Sequence, residues 1–78
     1  MAKLDYSNAQ LLTRNRKTLA IAESCSGGLL CHRITNIPGS SAYFKLGIIC
    51  YSNESKVFLL KVSQKTLGRF GAVSPQVA

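Results

Sequence analysis

"TLAIAESCSGGLLCHRITNI", Thr18 to Ile37, changes character near its middle. The first seven residues, 18–24, are mostly apolar, too few for a helix, and end in small polar groups; they predict a strand. From Ser26 onward the period changes. Gly27, Leu30, Cys31, Ile34 and Ile37 recur every three or four residues, which places them on one face of a helix over 26–37. Ser24 or Ser26 can cap that helix, and Pro38-Gly39 ends it. A strand that runs through two serines and a cysteine into a helix is the start of an α/β layer fold.

Residues 5–17 carry a weaker amphipathic pattern and predict a short helix before this unit. After it, "SSAYFKLG" (40–47) reads as a helical turn closed by Gly47, and "GIICYS" (47–52) as a second, largely buried strand. "SNESKVFLL" (52–60) restarts with capping residues and predicts another helix. Ser63 can cap "QKTLGRF" (64–70), which Gly71 closes. "SPQVA" (74–78) has serine at an N-cap position and proline at the first helical one, the signature of a further helix starting. The expected order is helix, strand, helix, strand, helix, helix, with a domain boundary expected beyond residue 78.

Seventy-eight residues allow at most one small domain with a modest core. An apolar share of 46% with 17% charged residues marks a folding chain, not a disordered one. No apolar run approaches the roughly 18–20 residues that span a bilayer, and "MAKLDYSNAQLLTRNRK" lacks a signal peptide's apolar centre. The expectation is a soluble cytoplasmic protein with no membrane contact. Cys25, Cys31 and Cys50 match no zinc or C-x-x-C spacing, and their apolar or small neighbours predict buried, reduced thiols. A net charge of +7 favours anionic partners in general. The basic residues are scattered apart from "RNRK" (14–17), and no aromatics are interleaved for base stacking. A small basic nucleic-acid-binding protein is therefore the third reading of function.

The chemistry concentrates at the predicted strand ends. Ser24 or Ser26 lies where a helix N-terminus offers unpaired N–H groups, a place that can hold a phosphate or an oxyanion. Tyr51 ends the second strand and Lys56 follows within "YSNESK". If the strands are neighbours, these side chains converge on the carboxyl edge of one sheet, the usual ligand crevice of an α/β fold. A lysine that is neutral can take the proton of a serine hydroxyl, and a tyrosine can relay it or orient the lysine. His32, the only histidine, lies mid-helix beyond the serines, so a Ser-His-Asp arrangement is not expected. Glu23 could orient the lysine, bind ribose or equally lie at the surface, Glu54 suits the first turn of a helix, and Asn53 could cap or position Lys56.

Four segments, "AESCSGGLL", "ITNIPGSSAYFKLG", "YSNESKVFLL" and "FGAVSPQVA", occur in this order and together resemble the CinA C-terminal domain family, the nicotinamide-nucleotide amidases. The resemblance covers roughly residues 10–78. It implies a three-layer α/β/α fold with a mixed sheet, of which residues 1–78 would be a partial, truncated domain. It also implies hydrolysis of the carboxamide of nicotinamide mononucleotide to nicotinate mononucleotide and ammonia, with no metal or other cofactor. By the same resemblance Ser24 is the nucleophile, with Tyr51 and Lys56 as its catalytic partners. Ser26, Gly27, Gly28, Ser40 and Asn53 are expected to contact substrate. Position 26 is usually threonine in the family, and Leu46 and Lys61 stand where glycine is frequent. The family's Gly- and Thr-rich G-x-T-G-x-x-G-P segment belongs to a second half of the domain that these residues do not include. The expected partners are therefore the mononucleotide substrate and either further copies of the chain or a complementing second half. A non-catalytic subunit or remnant is the alternative.

Overall fold

The computed structural model describes residues 2–78. Strand β1 (Leu19–Glu23) pairs in parallel with β2 (Phe44–Ile49). Leu19 stands opposite Phe44 and Ala20 opposite Leu46, so Lys45 is an extra residue before the register runs evenly to Glu23 opposite Ile49. Cys50 lengthens the ladder by donating its N–H to the Glu23 carbonyl at 2.8 Å. Parallel strands need a crossover connection. Here it contains helix α2 (Leu29–Thr35) and a 3-10 turn, Ser40–Ala42. Both carboxyl ends therefore finish at one edge, as the crevice argument requires. The resemblance implies a larger mixed sheet, and these two parallel strands are what the described residues contribute.

Alternation along β1 leaves Leu19, Ile21 and Glu23 less exposed than Ala20 and Ala22. Glu23 reaches the N–H groups of α2, which identifies the α2 side of the sheet. Helix α1 (Ala2–Arg14) is tied to α2 by an Arg33–Asp5 ion pair of 2.7 Å, worth at most about 1 kcal/mol when partly exposed. Ile37 and Tyr43 are buried beside α1, and Cys50 is buried at the carboxyl edge. Across the sheet, Ala22 shares a cavity with Lys56 and Leu60 of α3 (Asn53–Leu60). Helix α4 (Gln64–Phe70) follows.

Where short-range chemistry decides, expectation and structure agree. Ser52 and Ser63 cap α3 and α4, accepting the N–H groups of Ser55 at 3.1 Å and Thr66 at 3.4 Å. Gly71 closes α4, and Ser74 organises a single turn by accepting the Val77 N–H at 3.4 Å.

Other expectations are corrected. The first helix runs earlier than 5–17, because Arg16 turns left-handed (φ 53°) and Lys17 donates back to the Leu12 carbonyl at 3.0 Å, a Schellman-type ending. The second helix starts at Leu29, not 26, because Gly27 (φ 60°) and Gly28 (φ 102°) adopt conformations an α-helix excludes. Neither Ser24 nor Ser26 caps it, and Gly27 leaves the expected apolar face. Gly47 does not close a helical turn. It lies inside β2, which begins three residues before the expected 47–52, and a Cβ there would stand 2.5 Å from Cys31 Sγ. Cys50 is buried as expected, Cys31 only in part, and Cys25 is exposed on the turn after β1.

The accessible surface is 5915 Å², about a quarter above the roughly 4,700 Å² of a compact monomer of this length. The radius of gyration is 14.6 Å against an expected value of roughly 11.5 Å. Leu46 and Ile49 of β2 and Phe58 and Leu59 of α3 are all more than half exposed. The two strands pair only with each other among the described residues, which leaves unpaired sheet edges.

Two substitutions test this packing. Gly47→Ala should lower stability by about 1 kcal/mol or more, because the methyl group displaces Cys31. Lys61, the C-cap of α3, has φ 62°, and Lys61→Gly should raise stability by roughly 1 kcal/mol through relief of the left-handed strain. Urea denaturation of each variant beside the wild type measures both effects.

Candidate active site

Ser24 follows Glu23 at the bend where the chain leaves β1. Ser24 lines a cavity of about 260 Å³ at the carboxyl edge of the sheet, together with Ala22, Glu23, Cys50, Lys56 and Leu60. It also borders a more open hollow of about 440 Å³ walled by Cys25, Val73 and Pro75. Ser24 thus stands between a partly enclosed pocket and a more open hollow.

Lys56 is 6% exposed, and its Nζ donates to the Tyr51 carbonyl at 2.6 Å. No carboxylate pairs with it, since Arg33–Asp5 is the one ion pair among the described residues. Burying an ammonium against a single neutral acceptor is costly, and such positions recur where a side chain has a chemical task. Tyr51 contributes its carbonyl here. Its ring is 74% exposed with its centroid 6.0 Å from Nζ, and its side chain does not line the Ser24 cavity.

Glu23 is 4% exposed, and its carboxylate takes over the start of α2. Oε1 accepts the N–H groups of Gly28 at 3.2 Å and Leu30 at 3.0 Å, and Oε2 accepts that of Cys31 at 2.9 Å. The Cys31 thiol above all, helped by its N–H, the Ser26 hydroxyl and the Leu30 N–H, holds the Glu23 carboxyl at about 2 against the opposing effect of desolvation. The Cys31 thiol is pushed up in return. Donors expected to be free for a phosphate or oxyanion are therefore occupied by the protein's own carboxylate, and Glu23 does not orient Lys56. Period-two alternation, which groups Glu23 with Leu19 and Ile21, is the signal that could have found this role.

The remaining expected contacts divide. Ser26, Gly27 and Gly28 form the turn beside Ser24, and Gly28 packs so closely on β2 that a Cβ would meet Ile49 Cδ1 at 3.1 Å. Ser40 lies before β2, at the amino edge of the sheet, about 20 Å of strand away from the Ser24 end. Asn53 is exposed and lines a separate groove between α3 and α4 with Phe58 and Leu67. Neither Ser40 nor Asn53 joins the Ser24 cavity. Ala72 and Val77, which wall that cavity, were not anticipated, because their segment reads only as the start of a helix. Among the described residues no three His, Cys, Asp or Glu side chains gather as metal ligands would, and no helix is long and apolar enough to cross a membrane.

A serine at a strand–turn–helix junction, sharing the carboxyl edge of a parallel sheet with a buried lysine, defines an α/β domain with a mostly apolar crevice that carries these two polar groups. The CinA C-terminal domain model matches residues 1–78, and the chain belongs to that family. It is 55% identical over 75 residues to a CinA-like protein of Chlorobium limicola and to a putative competence-damage inducible protein of Moorella thermoacetica, covering 96% of this chain and 18% of each relative. The crystal structure of the competence/damage inducible protein CihA from Agrobacterium tumefaciens superposes with a TM-score of 0.95 at 39% identity, over 99% of this chain and 47% of that one. The competence damage-inducible protein A from Klebsiella pneumoniae gives 0.94 at 30% identity, over 97% and 47%. The chain thus spans under half of these solved relatives and about a fifth of the curated ones.

The depressed Glu23 carboxyl sets a pH window. Its folded value lies below the ordinary 4.5, so its stabilising effect is complete above about 4.5 and is lost as pH falls through about 2. Denaturation midpoints should fall between those values in the wild type and flatten there in Glu23→Gln.

Proposed function

We propose that this chain carries the nucleophile and the lysine of a serine amidase acting on the carboxamide of nicotinamide mononucleotide. The observation that carries this reading is the shared cavity of Ser24 and the buried, carboxylate-free Lys56. Ser24 Oγ attacks the amide carbonyl while Lys56, in its neutral form, takes the hydroxyl proton. The N–H groups of Cys25 and Ser26 have no acceptor among the described residues and are the donors proposed for the oxyanion, in place of the filled α2 terminus. Collapse returns the proton to the departing nitrogen as ammonia leaves. Water then cleaves the acyl–Ser24 ester to give nicotinate mononucleotide. Tyr51 holds Lys56 through its carbonyl, and its hydroxyl is placed to act only after the exposed ring turns inward.

The open sheet edges and exposed apolar residues favour a second component of this reading. The cavity works in an assembly in which another polypeptide, either a further copy or a segment equivalent to the remainder of the solved relatives, covers this surface. In the alternative, the chain is a non-catalytic subunit of such an assembly. Free thiols at all three cysteines suit a reducing cytoplasm.

Ammonia release from nicotinamide mononucleotide tests the proposal, with the chain alone and mixed with the C-terminal half of a relative's domain. Ser24→Ala and Lys56→Met should each lower turnover at least about a thousandfold with little change in stability for Ser24→Ala. Activity that survives Ser24→Ala would reject the nucleophile assignment. Absence of activity in every mixture would favour the non-catalytic subunit.

A further inference from the structure

We propose that Glu23 is a positioning residue for Ser24: its carboxylate, clamped on the N–H groups of Gly28, Leu30 and Cys31, closes the turn that aims the serine into the Lys56 cavity. This rests on the reading of Ser24 as the nucleophile. The turn has little else to hold it. Cys25, Ser26 and Gly27 are exposed, and a Cβ built at Gly27 would meet nothing within 4 Å. Two backbone hydrogen bonds cross it, Gly27 N–H to the Ser24 carbonyl at 3.1 Å and Leu29 N–H to the Ser26 carbonyl at 3.0 Å. Two consecutive glycines in left-handed conformations add backbone freedom that those bonds alone restrain weakly.

Glu23 supplies the missing constraint. Both carboxylate oxygens are engaged by donors on a helix, so the side chain cannot rotate without breaking charge-assisted bonds. Its backbone is equally fixed, because the Glu23 carbonyl accepts the Cys50 N–H. Ser24 is the next residue, at the bend where the chain leaves β1 beside the cavity that Lys56 lines. Anchoring Glu23 towards α2 therefore fixes the direction in which Ser24 leaves the sheet. Displacement of a reacting atom by about 1 Å can cost on the order of a hundredfold in rate. Neither near-isostere can replace this residue. Glutamine would turn an NH₂ group towards an N–H donor, and aspartate is one methylene too short to span all three.

The test uses the full 78-residue chain, isotopically labelled, as wild type and Glu23→Gln. Amide exchange and the Ser24 Hα–Hβ couplings are read by NMR, neither of which depends on turnover. In the wild type the amides of Gly28, Leu30 and Cys31 should be protected and Ser24 should occupy one rotamer. In Glu23→Gln their protection should fall at least about tenfold while the Cys50 amide stays protected, and the Ser24 couplings should average. Unchanged exchange, or lost protection with Ser24 still in a single rotamer, overturns the proposal. If Glu23→Gln does not fold, Glu23→Asp is read in the same way, with partial loss expected and wild-type behaviour overturning it. Labelling of Ser24 by a fluorophosphonate is measured in parallel. No labelling of the wild type would reject the nucleophile reading and leave the NMR result to decide the clamp by itself. Where turnover is present, Glu23→Gln should lower kcat about tenfold or more with KM nearly unchanged, with kcat referred to the folded fraction read from the same NMR spectra, because loss of folded protein alone would also lower the apparent kcat.

Discussion

A single carboxylate holds strand, turn and helix together in this chain. An ionised side chain inside a protein must find polar partners for its oxygens, and the first turn of a helix has N–H groups that lack them. At the βα junction each need answers the other: Glu23 is buried at the end of β1, and α2 presents three donors to it. The helix can then begin directly on the sheet without a side-chain cap from the turn. Gly28 completes the arrangement, since the space a Cβ would fill there belongs to Ile49 of the neighbouring strand.

Among the described residues two charged side chains of opposite sign are buried, both at the carboxyl edge of the sheet. Glu23 is saturated with donors and has a structural role. Lys56 is held by one carbonyl and faces a cavity. No ion pair joins them, and the Glu23 oxygens are instead occupied by backbone N–H groups.

How much of this the sequence discloses depends on the range of the interaction concerned. The caps at Ser52, Ser63 and Ser74 are read correctly because a serine and the N–H it accepts lie three residues apart. The strand–turn–helix unit is likewise legible, and so, from the position of the strand ends, is the meeting of Ser24 and Lys56 at one cavity, whereas the Tyr51 side chain expected with them lies outside it. The start of α2 is misplaced because its cap comes from a residue five to eight positions earlier, beyond any local capping pattern. Gly47 is misread as a helix stop because the reason for a glycine there, the Cys31 side chain of α2, appears only after the sheet and helix have packed. Lys61 shows the reverse case: the frequent glycine noted at that position has a direct cause in the left-handed end of α3.

The parallel pairing of β1 and β2 also bears on the order in which the parts become available during synthesis. A hairpin can form as soon as its second strand leaves the ribosome, but this sheet waits for the whole crossover of residues 24–43 and then for β2. Ser24 emerges early, yet the walls of its cavity include Lys56, Ala72 and Val77 from much later in the chain. The donors to Glu23 (residues 28, 30 and 31) and then β2 emerge before those walls, so the clamp and the strand pairing can precede the cavity. The cavity is therefore a late product of translation, and a nascent chain carries Ser24 before the pocket that it lines.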